Sequence, residues 1–382
     1  FCILLSVFIA FSIGAIIQWI SRVILTFDFE SKSILLNCIF GSLSFTSIIN
    51  FILIKGIKGT PYSSQTFSIL DDLTINEFID SNILFFWIIS LIFWFIFSLF
   101  ISKILKLDIY KIIIGVGTFS LALAFAGNDL VNFIGVPIAA LESFQLWSAS
   151  SLTASEYSMI SLSEKVNTKP IYLFLSGLIM VITLWFSSKA KNVVKTSLDL
   201  SNQNDTDEKF KANPVGKLLV MLGVFLNELL KKLLPKGLLN QINQSFTLKD
   251  NYTEAKSVDG IRPSFDKLRA CLNLVIAAIL ISIATSYQLP LSTTYVTFMV
   301  AMGTSLSDRA WSSDSAIYRV SGVVSVIGGW FLTAFSAFLI CGLVVFTIHQ
   351  LKITGILMTI IFVSIIIFKN HRKFKKKGEI NI

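Results

Sequence analysis

The sequence predicts an all-α, polytopic transmembrane protein, and three observations carry that prediction. Hydrophobic residues make up 54% of the chain against 14% charged, 34 residues are Phe and the mean hydropathy is +0.75, too apolar for a fold surrounded by water. Apolar runs of about 20 residues, the length that carries a helix across a 30 Å hydrocarbon core, recur from the first residue nearly to the last. A cleaved signal peptide does not account for them. Lys and Arg gather beside these runs, as they do on a cytoplasmic membrane face, which explains the net charge of +9 without nucleic acid.

Taken in order, residues 1–27 form the first candidate span, followed by Asp28, Glu30 and Lys32. Phe1 is not an initiator Met and opens directly on the apolar run, so residues ahead of it are expected to be missing. Residues 33–54 form a second span. The loop 55–82 carries Pro61, Asp71, Asp72, Glu77 and Asp80 and is too polar to enter a bilayer. Residues 83–101 form a third span, closed by Lys103, Lys106 and Lys111, and 112–146 a fourth, longer one. A Ser-rich connection leads to Lys169, after which Pro170 opens a span to Phe186.

Residues 189–264 are polar and solvated. Within them 215–234 reads as an amphipathic helix with Lys217, Asn227, Glu228, Lys231 and Lys232 on one side, interrupted by Val220, Met221 and Val224. It lies at the interface, packs on a partner, or crosses as an additional span. Residues 268–287 form the next apolar segment, and 291–302 follow Pro290. Beyond a polar link, 317–347 and 353–368 are the last apolar segments, before the basic tail 370–382. Asp308, Arg309, Asp314 and Arg319 flank a span entry, where local ion pairing and interface anchoring are expected.

Loop charge sets the orientation. With the tail inside, the turn 348–352 is outside and the link 305–315 inside. The unit 268–302 then leaves from and returns to the inner side, as two spans or as a re-entrant hairpin. Residues 189–264, 103–111 and 28–32 are inside, and the acidic loop is outside.

Two segments depart from simple hydrocarbon logic. In the fourth span, Ala126-Gly127-Asn128-Asp129-Leu130-Val131-Asn132 places a carboxylate amid apolar residues, a placement that costs about 2.5 to 3.5 kcal/mol at a span centre and marks a functional candidate. On a helix Asn128 shares a face with Asn132, and Gly127, Gly135 and Pro137 favour unwinding. The expectation is a broken helix offering oxygens to a cation at mid-membrane depth. The other segment is Pro290-Leu291-Ser292-Thr293-Thr294. Pro290 stops the preceding helix and a new one starts near Ser292, its unpaired N–H groups and hydroxyls facing an anion. Alternatively, the hydroxyls satisfy backbone groups or pack helices. Discontinuous helices that face each other near the midplane are how many secondary transporters build their sites.

The Ala126–Asn132 segment resembles the Gly-Ala-Asn-Asp-Val-Ala-Asn signature of the inorganic phosphate transporter family, sodium- or proton-coupled proteins with two inverted repeats. The Pro290–Thr294 segment is similar to that family's Pro-Val-Ser-Thr-Thr element, and the residues from Leu289 to Trp330 resemble its Bacteroidetes-type branch. The resemblance implies an inverted-repeat transporter with discontinuous helices. Asn128, Asp129 and Asn132 would be sodium ligands, and Ser292, Thr293 and Thr294 would hold phosphate. Ala126 and Gly127 stand in exchanged order, and Tyr295 stands where many members have His, which favours sodium over protons. Each motif occurs once here and twice in the family. Residues 1–111 are therefore expected to be the end of a first repeat, with the second repeat divided into 112–188 and 265–369.

The function expected from this reading is import of inorganic phosphate across a bacterial inner membrane by a multi-pass symporter, with sodium as coupling ion and no other cofactor. The partners are phosphate, sodium and the lipid bilayer, with room for a homodimer. Proton coupling and another oxyanion such as sulfate are the near alternatives. An integral-membrane enzyme acting on phosphorylated lipid, with Asp129 as general base, needs a second acid, base or metal set that the sequence does not offer. An anion sensor or scaffold is a third class. Cys2, Cys38, Cys271 and Cys341 are widely spaced in apolar runs and read as buried thiols, and His349 and His371 form no zinc set. No phosphate-cradling Gly-rich loop or nucleophile elbow is present, and no catalytic residue is expected.

Overall fold

The apolar runs fold as helices because a segment removed from water must satisfy its backbone groups within itself. The computed structural model describes residues 2–58, 74, 77, 78, 81–153, 156–158, 160, 169–187, 195, 211–233, 235–247, 265–287, 289, 291–308 and 313–380. Among the described residues the chain is helical and holds no strand. In chain order the helices are α1 (Cys2–Leu25), α2 (Ile34–Lys58), α3 (Ile83–Leu99, prolonged by a π-helical turn Phe100–Ile104), α4 (Ile109–Ser148) and α5 (Pro170–Phe186). After the polar stretch come α6 (Pro214–Leu233), α7 (Lys236–Ser245), α8 (Lys267–Ser286), α9 (Thr293–Ser307) and α10 (Ser313–Ile380). Five stretches are long and apolar enough to cross a membrane: Leu5–Leu25, Ile83–Ile104, Ile109–Ser148, Lys267–Thr285 and Ile317–Asn370. Ile34–Asn50 and Pro170–Phe186 are shorter apolar helices.

The chain divides into two units, Phe1–Glu208 with Met221–Ala316, and Lys209–Val220 with Ile317–Ile382. In the first, α8 is central, packing on α4, α2, α9 and α1, while α1 lies along α9. The α1–α9 contact is backbone to backbone. A Cβ added to Gly14 would sit 2.9 Å from the Val300 carbonyl oxygen, and one added to Gly303 would collide with the Phe11 carbonyl and stand 3.0 Å from the Ala15 nitrogen. Small residues allow this approach where lipid-like surroundings give helices no hydrophobic reason to associate. The register Leu5 near Leu291, Gly14 on Val300 and Arg22 on Asp308 makes α1 and α9 parallel.

Tyr110 ties the start of α4 to its neighbours. Its hydroxyl donates to Asn37 Oδ1 of α2 at 3.0 Å, its carbonyl accepts from the Cys271 thiol of α8 at 3.3 Å, and its ring meets those of Phe29 and Phe40. Between α2 and α3, the Ser42 hydroxyl donates to the Leu91 carbonyl at 2.8 Å and Phe45 packs on Trp94. Cys38 and Cys271 are buried free thiols, whereas Cys341 is exposed on the apolar surface of α10, where a buried thiol was expected.

Two expectations about continuity come out differently. The break expected at residues 126–137 is absent, because α4 runs unbroken for 40 residues with Pro137 inside it. A proline in a membrane helix removes one N–H, and surrounding groups can make good the freed carbonyl, so the residue need not unwind the chain. At 1.5 Å per residue α4 is about 60 Å long, twice the hydrocarbon thickness. The break after Pro290 is present, since α8 stops at Ser286 and α9 starts at Thr293.

In the second unit, α10 bends at Lys352, whose φ of 48° is left-handed, within the expected turn 348–352. A Cβ on Gly355 would lie 2.7 Å from the Thr347 carbonyl oxygen, whereas a straight helix separates those residues by about 12 Å, so the chain reverses there. The same unit holds the start of α6. Asn213 caps it by accepting from the Gly216 N–H at 2.6 Å. It also donates twice to Ser321 of α10, from its N–H to the hydroxyl at 3.0 Å and from its side-chain amide to the carbonyl at 3.2 Å.

Gly303→Leu is expected to break the α1–α9 contact, since its side chain would have to displace backbone and overpacking typically costs about 1 to 3 kcal/mol even where side chains yield. A detergent-solubilised thermal melt should show a Tm lower by several degrees or no folded protein at all. Gly115→Ala is the control, with nothing within 4 Å of the added Cβ, and should melt as the parent does.

Candidate functional site

A charged layer at one end of the first unit positions the candidate residues. Arg22, three residues before the end of α1, is wholly buried. Its Nε donates to Asp308 Oδ1 at 2.5 Å, its Nη2 to Asp308 Oδ2 at 2.7 Å and to Asp266 Oδ2 at 2.6 Å, and its Nη1 to the Thr26 carbonyl at 3.0 Å. The Phe27 ring stacks on the guanidinium at 3.9 Å. Asp266 is the N-cap of α8, where its other oxygen accepts from the Arg269 N–H at 2.9 Å. Asp308 is the C-cap of α9. Beside them Lys267 bridges Glu30 and Asp108, both at 2.6 Å, and Asp108 caps α4. The end of α1, the starts of α4 and α8 and the end of α9 therefore share one face, the grouping that loop charge had placed on one side of the membrane.

Distances along the helices place the motifs relative to this layer. Thr285 lies 18 residues beyond Lys267, about 27 Å, and Asn128 lies 19 residues beyond Ile109, about 28 Å. The two meet, with Asn128 Nδ2 donating to Thr285 Oγ1 at 3.3 Å and Asn128 buried. Since α9 has 15 residues, its start stands about 22 Å above the layer, short of the 30 Å hydrocarbon core. The other limb of the unit, α8, is by contrast long and apolar enough to cross. Thr285 stands one residue before the end of α8 and eight before Thr293, the first residue of α9.

At the start of α9, Ser292 is the N-cap and its Oγ accepts from the Tyr295 N–H at 3.4 Å. Thr293 is buried, Ser292 is half-buried and Thr294 is exposed. The three hydroxyls expected to act together thus face different surroundings. Thr294 is the exposed one of the three, while Ser292 Oγ is engaged in capping. The Thr293 carbonyl accepts from the Thr297 hydroxyl at 3.0 Å. Asp129 and Asn132 belong to the unbroken part of α4, and their side chains lie outside the described residues. Pro290 lies outside them as well.

Asp308 corrects the expectation of local pairing at an interface. It is buried and binds a residue 286 positions away, because α1 and α9 end side by side. Arg309 and the Asp314 side chain lie outside the described residues. Arg22 and Gln18 were not among the residues singled out from the sequence, although a charge and an amide in an otherwise apolar run were a sufficient signal. Gln18 is fully buried and, among the described residues, neither of its amide atoms has a hydrogen-bond partner. It lies one turn before Arg22 on the stripe begun by Gly14, the face that meets α9. Thr304, at the same level of α9, donates to Asn273 Oδ1 at 2.6 Å.

No protein-family model matches the chain, and no curated protein or solved structure matches it either.

Arg22→Met should cost about 3 to 5 kcal/mol, because it leaves two buried carboxylates without their counter-charge. Adding Asp308→Asn should restore part of that loss by removing one of the stranded charges. Denaturant unfolding of the detergent-solubilised protein measures both, and equal stability of single and double variants contradicts the arrangement.

Proposed function

We propose that the chain belongs to a secondary transporter that imports inorganic phosphate, coupled to sodium, across a bacterial inner membrane. The observation that carries the reading is the Asn128–Thr285 hydrogen bond, by which Asn128 of the Asn-Asp motif meets the end of α8, eight residues before the first residue of α9. On this reading, oxygen-bearing side chains for a cation and a helix N-terminus for an anion serve one site, the arrangement that couples two ions. In the proposal the Asn128 side chain is held by its nitrogen on Thr285 and serves sodium through its oxygen, with Asp129 and Asn132 as further ligands. Thr294 supplies the open hydroxyl for phosphate, and Ser292 holds the terminus in shape.

In liposomes bearing the protein, radiolabelled phosphate uptake should require an inward sodium gradient, and Asp129→Asn should abolish it while leaving membrane insertion intact. Thr294→Val should raise the phosphate concentration for half-maximal uptake several-fold and leave the sodium dependence unchanged. The loss of one hydrogen bond to a charged group, about 1.5 to 3 kcal/mol, sets that scale. Uptake indifferent to sodium and to Asp129 contradicts the coupling.

A further inference from the structure

We propose that α6 is a lipid-seated helix, its N-terminal half lying in the acyl region of a leaflet and its C-terminal turn held on anionic headgroups. The sequence along α6 changes character part-way. From Pro214 to Leu226 the only charged residue is Lys217, whereas Asn227, Glu228, Lys231 and Lys232 fill the next turns and Lys236 opens α7. In the structure Leu218, Met221, Val224 and Phe225 are 55 to 67% exposed, and Glu228 and Lys232 continue the exposed side further along the same helix. An ordinary amphipathic helix on a soluble surface hides its apolar residues and shows its polar ones. Here the exposed side, after Lys217 at its start, is apolar for two turns and then charged. That lengthwise division suits a helix entering a membrane obliquely.

Two further observations choose lipid as the occupant. The first turn of α6 is clamped to Ser321 by the Asn213 bonds, and Gly216 leaves no room for a side chain, since an added Cβ would collide with the Ser321 hydroxyl and lie 3.0 Å from its Cα. Ser321 is part of Ile317–Asn370, one of the stretches apolar enough to cross a membrane, so the start of α6 is tied to a candidate span. The charge is also complementary. Lys231, Lys232 and Lys236 against Glu228 leave an excess of basic side chains at the C-terminal end, and each Lys near an anionic leaflet adds attraction that falls off within a Debye length.

The test uses the full chain with its native cysteines replaced by Ser and single cysteines introduced at Met221, Phe225 or Lys232. Each is labelled with an environment-sensitive fluorophore and reconstituted in phosphatidylcholine vesicles, with or without phosphatidylglycerol. Probes at Met221→Cys and Phe225→Cys should emit to the blue and be quenched at least about twofold more by nitroxide-labelled lipid than the probe at Lys232→Cys, with the order reversed for aqueous iodide. Water-like emission at 221 and 225 overturns the proposal. Protection of both from lipid and aqueous quenchers alike also overturns it, since protein would then cover the face. Lys231→Glu with Lys232→Glu should move the 225 probe toward water in vesicles containing phosphatidylglycerol and leave it in place in phosphatidylcholine alone. The same change in both vesicles removes the anionic headgroup from the proposal.

Discussion

Arg22 is the residue on which the arrangement of the first unit depends. A planar guanidinium can satisfy two carboxylates at once with fixed geometry, and Asp308 and Asp266 close on it from the ends of different helices. Their helix positions are not equivalent. Asp266 at the N-cap of α8 faces the positive end of that helix, which favours it without help. Asp308 at the C-cap of α9 faces the negative end, so a buried carboxylate there depends on Arg22 for compensation. Such a cluster contributes little net stability compared with apolar packing, but it tolerates few alternative arrangements, because any slip of α1 against α9 leaves a charge stranded.

That constraint sets the height of everything above it. With α1, α4, α8 and α9 pinned at one layer, the rise per residue decides which side chains can meet, and Asn128 finds Thr285 because both stand about 28 Å along parallel helices. With 15 residues, α9 is shorter than the roughly 30 Å hydrocarbon core, so its hydroxyl-capped start stands about 22 Å from the charged layer. Glycines complete the arrangement, since Gly14 and Gly303 let α1 and α9 approach until backbone meets backbone. The charged layer fixes position along the helix axes and the glycines fix distance across them.

Fully buried Gln18, between the Gly14 contact and the Arg22 cluster, marks the transition from dry packing to the charged layer. Its neighbours at that level, Asn273 and Thr304, bond to each other across α8 and α9. Polar groups inside a helical membrane bundle are costly to leave unpaired, so this level is where the interior of α1, α8 and α9 is least like a hydrocarbon core.

The positions of the apolar helices were legible from the chain alone, because spanning length and hydropathy are local properties, whereas polar α7 was not foreseen. Pro170 after Lys169 and the cap at Ser292 marked helix starts to the residue, since a proline at the first turn and a hydroxyl at the cap act within one turn of themselves. Both motifs of the candidate site were visible for the same reason. The continuity of α4 was not, because Gly127 and Pro137 favour a break by local preference, and whether a helix breaks depends on what surrounds its freed backbone groups. Nor could the chain reveal that Asn128 answers to Thr285, or Arg22 to Asp266 and Asp308, partners 157, 244 and 286 residues away. Composition and spacing decided which segments are helices, and only the packed bundle decided which polar groups meet, since that depends on register between helices that share no sequence neighbourhood.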